Sequence, residues 1–174
     1  MIPNNVQFNR KSVEYPTPAW LFRTLEIIEG PFILDVAASS WNTKCKFFID
    51  SSIDGLHQRW HPHRCWCNPP YSHVGRWVKK AWDESRLGAK VVCLLPSYTD
   101  KAWWHEYILD KPVKIYAIKG RLRFENAQQA APFASVAVVF DPRIKKQKWI
   151  SLANTFGDIE VKLNITEPER YRLT

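Results

Sequence analysis

Apolar and polar positions along this chain keep two rhythms. Leu21, Leu25 and Ile28 recur at helical spacing between Thr17-Pro18 and Gly30. Thr17 as N-cap and Pro18 at the first helical position predict a helix start, and Gly30 fits the stop. A second helix is predicted from His73 to Leu87, burying Val74, Trp77, Val78 and Ala81, with Gly88 closing it. A third runs from a Thr99 cap to Asp110. Between these lie short strand-like runs: Phe32 to Val36, Lys46 to Asp50, Arg64 to Cys67, Lys90 to Leu95, Val113 to Ile118 and Ser135 to Phe140. The Lys90–Leu95 run is almost wholly apolar, as expected of a strand covered on both faces.

Strands alternating with helices predict an α/β layer fold with a mainly parallel sheet. Ligands of such sheets sit beyond the carboxyl ends of the strands. Asp35, Asp50, Asn68 and Pro96 all fall at predicted strand ends. The chain of 174 residues reads as one domain. Residues 1–13 read as a polar arm, 14–142 as the single main domain and 143–174 as a basic C-terminal extension. That extension carries Arg143, Lys145, Lys146 and Lys148, then a strand candidate from Ile159 to Ile165 and a loose polar end over 166–174.

Composition narrows the partners. Lys plus Arg total 25 against 17 for Asp plus Glu, a net charge of +8 that suits a polyanion. Nine tryptophans supply flat surfaces for a core and for stacking on bases. No apolar run is long enough to span a bilayer, and Met1 to Arg10 lacks the apolar core of a signal peptide. A cytoplasmic setting is therefore expected, with Cys45, Cys65, Cys67 and Cys93 reduced. Cys65 and Cys67 alternate along one predicted strand and so point the same way.

The most specific signal is Asn68-Pro69-Pro70-Tyr71, between the Arg64–Cys67 strand and the second helix. Two prolines stiffen the turn and force their predecessors into extended conformations, leaving carbonyls outward. The Asn68 amide oxygen and the Pro69 carbonyl can both accept from one NH2 group, while Tyr71 offers a face to a flat ring. This tetrapeptide resembles motif IV of the S-adenosylmethionine-dependent amino-methyltransferases, (D/N/S)PP(Y/F/W). Together with Tyr15-Pro16-Thr17-Pro18, Leu34-Asp35-Val36-Ala37-Ala38-Ser39, Asp54-Gly55-Leu56, Leu94-Leu95-Pro96, Gly120-Arg121-Leu122-Arg123-Phe124 and Ala131-Pro132-Phe133-Ala134-Ser135, it makes the chain similar to the phage-type, Dam-like DNA N6-adenine methyltransferase family.

The resemblance implies a Rossmann-like methyltransferase fold, with helices on both faces and an antiparallel strand near the end of the sheet. It implies S-adenosylmethionine as methyl donor, DNA as substrate and a base flipped out to reach the catalytic Asn68, Pro69, Pro70 and Tyr71. Protection of phage DNA from restriction is a further implication. No obligatory protein partner is inferred. On the cofactor side, Asp35 occupies the acidic position of motif I, and Ala37 lets the backbone approach the ligand. Asp50 is the first choice for the ribose hydroxyls and Asp54 the next. Thr17 matches a Thr-Pro element that touches the cofactor carboxylate, and a plain helix cap accounts for it equally well. The glycine-rich loop usual after the first strand is missing.

On the DNA side, Lys119, Arg121 and Arg123 form an alternating basic stripe that suits phosphates or plain solvent. Phe124 and Phe133 are candidates for a second aromatic wall. With no segment the size of a separate recognition domain, short or relaxed sequence specificity is expected. Two rival readings stand beside this one. The same tetrapeptide occurs in methyltransferases acting on RNA or on protein glutamine. His57, His61, His63, Cys65 and Cys67 are crowded enough to consider a zinc-stabilised, non-catalytic nucleic-acid-binding module, although no standard ligand spacing is met and no metal ligand is assigned.

Overall fold

A computed structural model describes residues 15–125 and 127–153. The polar arm, the Ile159–Ile165 strand candidate and the 166–174 tail lie outside the described residues. The core is one seven-stranded sheet in the order β2-β1-β3-β4-β6-β5-β7. The strands are β1 (Leu34–Asp35), β2 (Phe47–Phe48), β3 (Arg64–Cys67), β4 (Lys90–Pro96), β5 (Lys114–Ile118), β6 (Ser135–Phe140) and β7 (Lys148–Leu152). All neighbours pair in parallel except those of β6, which runs antiparallel to both β4 and β5. The expected mixed α/β architecture and its late antiparallel strand are both present.

Alternate residues of the central strands feed two separate cores, as the two-residue period of a strand requires. Cys65, Cys67, Val91, Cys93 and Leu95 face helix α2 (Val74–Arg86), which buries Val74, Trp77, Val78 and Ala81 there, and helix α3 (Ala102–Tyr107), which adds Trp104. Trp66, Val92, Leu94, Tyr116 and Val139 face the opposite way, against Leu21, Phe22 and Leu25 of helix α1 (Ala19–Glu29). Helices therefore cover both faces, and Cys65 and Cys67 do point the same way.

Three local expectations change. Thr17 is not the N-cap of α1: Pro18 takes that place and has no side-chain group to cap with, while the Thr17 hydroxyl accepts from Asn68. Helix α3 starts two residues after Thr99's neighbour Asp100, is capped by the backbone of Lys101 without a side-chain bond, and ends at Tyr107 rather than Asp110. The sheet also continues past 142, since Lys148–Leu152 inside the basic stretch pairs in parallel with β5. That strand escapes a pattern search because it is an edge strand with Trp149 and Ile150 exposed.

At the amino ends of β4 and β5, the buried carboxylate of Glu29 ties α1 to the sheet. It pairs with Lys90 at 2.8 Å and with Lys114, and accepts from the Tyr116 hydroxyl at 2.5 Å. Burial by itself raises the Glu29 pKa, but the hydrogen bonds from Lys114, Lys90 and Tyr116 outweigh it and hold the group below its usual value. Removing one partner of a buried ion pair strands the others. Glu29→Ala is expected to lower stability by about 3 kcal/mol, read as a fall in the urea midpoint at unchanged slope.

Candidate active site

Strands β1, β2 and β3 are adjacent, parallel and end together. The chain leaves β1 for β2 on one side and then returns to β3 on the other, the kind of reversal beside which open α/β sheets hold their ligands. A cleft of about 360 Å³ lies at these ends, within the range of roughly 300–1,000 Å³ usual for small-molecule sites. Its wall includes Thr17, Asp35, Ala37, Asp50, Asp54, Asn68, Pro69 and Pro70, so residues 51 positions apart in the chain converge on one space. Tyr15 and Gly55, which the sequence marks only inside family-like stretches, and Trp77, which it marks as helix core, also line the cleft, together with Lys44 and Ser51, which no pattern marks.

Asn68 ends β3 with its amide clamped. Its Nδ2 donates to the Tyr15 carbonyl at 2.6 Å and to the Thr17 hydroxyl at 3.0 Å. A carbonyl only accepts, so the nitrogen must face it and Oδ1 is turned away. The next carbonyl, that of Pro69, takes no backbone donor among the described residues, whereas that of Pro70 accepts from His73 at 3.3 Å. Two acceptors thus lie on consecutive residues at the corner.

Asp35 is buried, at 3% exposure, under a loop that its carboxylate organises. Its oxygens accept from the backbone amides of Lys44 at 3.1 Å and Ala37 at 3.4 Å. Burial pushes its pKa up to about 6 despite those bonds. Asp50 and Asp54 differ in what they have left to offer. Both Asp54 oxygens are engaged, one by the Leu56 amide at 3.1 Å and one by His57 at 2.6 Å. Asp50 spends only Oδ1, on the Ser52 amide at 2.9 Å, the Ser52 hydroxyl at 2.5 Å and the Ile53 amide at 3.3 Å. These bonds hold both carboxyls below their usual pKa. Asp54 holds a left-handed φ of 58°, and an added Cβ at Gly55 falls 2.2 Å from the Val36 carbonyl, so this corner admits no side chain at 55.

Tyr71 does not line the cleft openly. Its ring is stacked on Tyr15 at 5.5 Å and meets Phe133 edge-on at 5.5 Å and Phe124 at 6.4 Å. Its hydroxyl is buried without a hydrogen-bond partner among the described residues, and burial drives its pKa well above the ordinary phenol value. Phe124 is only 3% exposed and packs on Tyr15 at 4.9 Å. Lys119, Arg121 and Arg123 are exposed, alternating with buried Leu122 and Phe124. Because β5 runs in the same sense as β1–β4, this basic segment leaves the sheet at the edge that holds the cleft. It is tied back there by the Glu125 amide on the Pro16 carbonyl at 3.0 Å and by the Lys44–Glu125 ion pair at 2.9 Å.

The histidine and cysteine cluster disperses. His57 pairs with Asp54 and His61 with Glu84 at 2.7 Å, while the Cys65 thiol donates to the carbonyls of Trp60 and His63, each at 3.7 Å. Among the described residues no three His, Cys, Asp or Glu side chains gather as a metal needs. No helix among them is long and apolar enough to cross a membrane.

Known phage proteins resemble this chain. A protein of Haemophilus phage HP1 described as a DNA N-6-adenine-methyltransferase is 29% identical over 165 residues, covering 87% of this chain and 94% of its own. One of Escherichia phage T1 with the same description is 33% identical over 93 residues, covering 53% of this chain and 39% of its own. The match to the family described as DNA N-6-adenine-methyltransferase (Dam) runs over residues 8–159. With its acceptor pair, its cleft and this match in hand, the chain belongs to the DNA N-6-adenine-methyltransferase family.

Proposed function

We propose that this chain transfers the methyl group of S-adenosylmethionine to N6 of adenine in DNA, on a base extruded from the duplex and with short or relaxed sequence specificity. The observation that carries the reading is the clamped Asn68 amide beside the unclaimed Pro69 carbonyl. The adenine amino lone pair is delocalised into the ring. Two acceptors drawing on its two protons favour a pyramidal nitrogen, whose lone pair can then be aimed. Holding it in line is worth much of the rate gain in such a displacement. The family description names adenine and DNA, which favours that substrate over RNA or a protein glutamine. The sheet order and lone antiparallel strand fit a Rossmann-like methyltransferase fold.

The donor set of the cleft fits the cofactor. Asp50 keeps one oxygen wholly unbonded for ribose hydroxyls, while each Asp54 oxygen already accepts one bond, so Asp50 is preferred. Asp35 brings a negative charge near the amino-acid end, and Thr17 and the small Ala37 leave room beside it. When bound, the cofactor supplies an electrophilic methyl group. On the DNA side, Lys119, Arg121 and Arg123 are placed to meet phosphates on the cleft side of the sheet.

Incubation with duplex DNA and cofactor, followed by digestion, is expected to yield N6-methyladenine. Asn68→Ala should reduce that product by about a hundredfold or more while cofactor binding persists. Normal methylation by the variant refutes the assignment. Asp35 yields a pH test. A cationic ligand beside it lowers its pKa, so binding near pH 6 expels protons. Affinity for the cofactor should rise up to about tenfold between roughly pH 5 and 7, and Asp35→Asn should flatten the profile in calorimetry. For the basic stripe, replacing Lys119 and Arg123 together by Ala should make the salt dependence of DNA binding shallower by about 2 in log–log slope, without altering cofactor affinity.

A further inference from the structure

We propose that the Tyr15 ring holds the place of the target base and must swing off Tyr71 before that base can stack there. The inference rests on the adenine reading above and adds to it a gate.

Tyr15 lies on Tyr71 with ring centroids 5.5 Å apart and planes 23° from parallel. A ring sandwiched between two others needs about 7 Å between the outer planes, twice the contact distance of carbon atoms. No third ring fits between these two as they stand. Phe133 and Phe124 meet the Tyr71 ring at steep angles, with centroids 5.5 and 6.4 Å away. The Tyr71 hydroxyl is buried with no hydrogen-bond partner among the described residues. Of the four rings, Tyr15 is the one that both covers Tyr71 by its face and lines the cleft.

Tyr15 also has the means to move without dismantling the corner. What Asn68 needs from it is the backbone carbonyl, bonded at 2.6 Å. Among the described residues the side chain makes no hydrogen bond, and it packs against the rings of Tyr71, Phe124 and Phe133. A rotation about its χ angles releases the Tyr71 face and leaves the Asn68 clamp in place. A flat ring with one polar tip is also the side chain nearest in shape to a base, so the slot stays packed while it waits.

Base entry therefore competes with the Tyr15–Tyr71 stack, and the competition can be read. In initial-rate assays on duplex DNA at saturating cofactor, Tyr15→Ala and Tyr15→Leu should lower the DNA KM about 3- to 10-fold, the worth of one aromatic pair. Tyr15→Trp, a larger occupant, should raise it. The Leu variant fills most of the space beside Tyr71 without a stacking face, so it serves if the Ala variant melts. A rise in KM, or a loss of kcat beyond about tenfold, in variants whose melting temperature and cofactor affinity match wild type overturns the gate and makes Tyr15 a fixed wall. Equal KM in all variants overturns it as well. The change in fluorescence of a duplex oligonucleotide carrying 2-aminopurine at the target position follows base extrusion without turnover. A change reached by the Ala or Leu variant at lower protein concentration than wild type supports the gate, and superimposable curves overturn it. Should these variants shift the curve in this manner while wild type makes no N6-methyladenine, the activity reading falls and the gate stands.

Discussion

Everything at the active corner depends on which way one amide faces. Asn68 offers both donors and an acceptor, and only the acceptor is useful for gripping an amine. The choice is made by Tyr15 and Thr17, 53 and 51 residues earlier in the chain, whose oxygens capture the amide nitrogen. A neutral hydrogen bond nets only about 1 kcal/mol, but here two of them act on one rotor. The strand that delivers Asn68 and the segment that leads into α1 are thus parts of one device. The same segment carries the ring that covers Tyr71, so aiming the acceptor and closing the slot share one short piece of chain.

The electrostatics of the cleft divide in a consistent manner. Asp35 is buried and organises a loop through two backbone amides, at the cost of a pKa raised to about 6. Asp50 and Asp54 sit at the rim and are easily ionised. A deep carboxylate that is easily protonated and a shallow one that is not give the two ends of the cleft different characters. Lys44 adds a link between the halves. Its amide serves Asp35 and its ammonium pairs with Glu125 on the basic connection. The loop that stands where a glycine-rich turn is usual is therefore held by side-chain chemistry.

Much of this was legible in the residue pattern. The Arg64–Cys67 strand, the face of α2 and the strand-end positions of Asp35, Asp50 and Asn68 follow from periodicity and turn chemistry alone. What escaped was set by tertiary context. Thr17 reads as a helix cap because a hydroxyl before a proline usually is one, and only the folded chain shows Asn68 claiming it. The strand Lys148–Leu152 is masked by its lysines and its outward Trp149, since an edge strand is half free of the core that imposes the pattern. Lys44 and Trp77 reach the cleft from a loop and from α2, at distances no local motif encodes. Tyr71 was expected to present an open face, and the structure instead finds that face occupied.

The position of β6 has a consequence for how the protein is made. It lies between β4 and β5, although both precede it in the chain. A ribosome releases β4 and β5 first, and neither can pair correctly with the other, because the slot between them awaits a segment still unsynthesised. Until Ser135–Phe140 emerges, the nascent sheet has raw edges at its centre, open to any passing strand. Insertion of β6 zips both neighbours at once, and β7, which follows it in the chain, can then close onto the outer edge of β5.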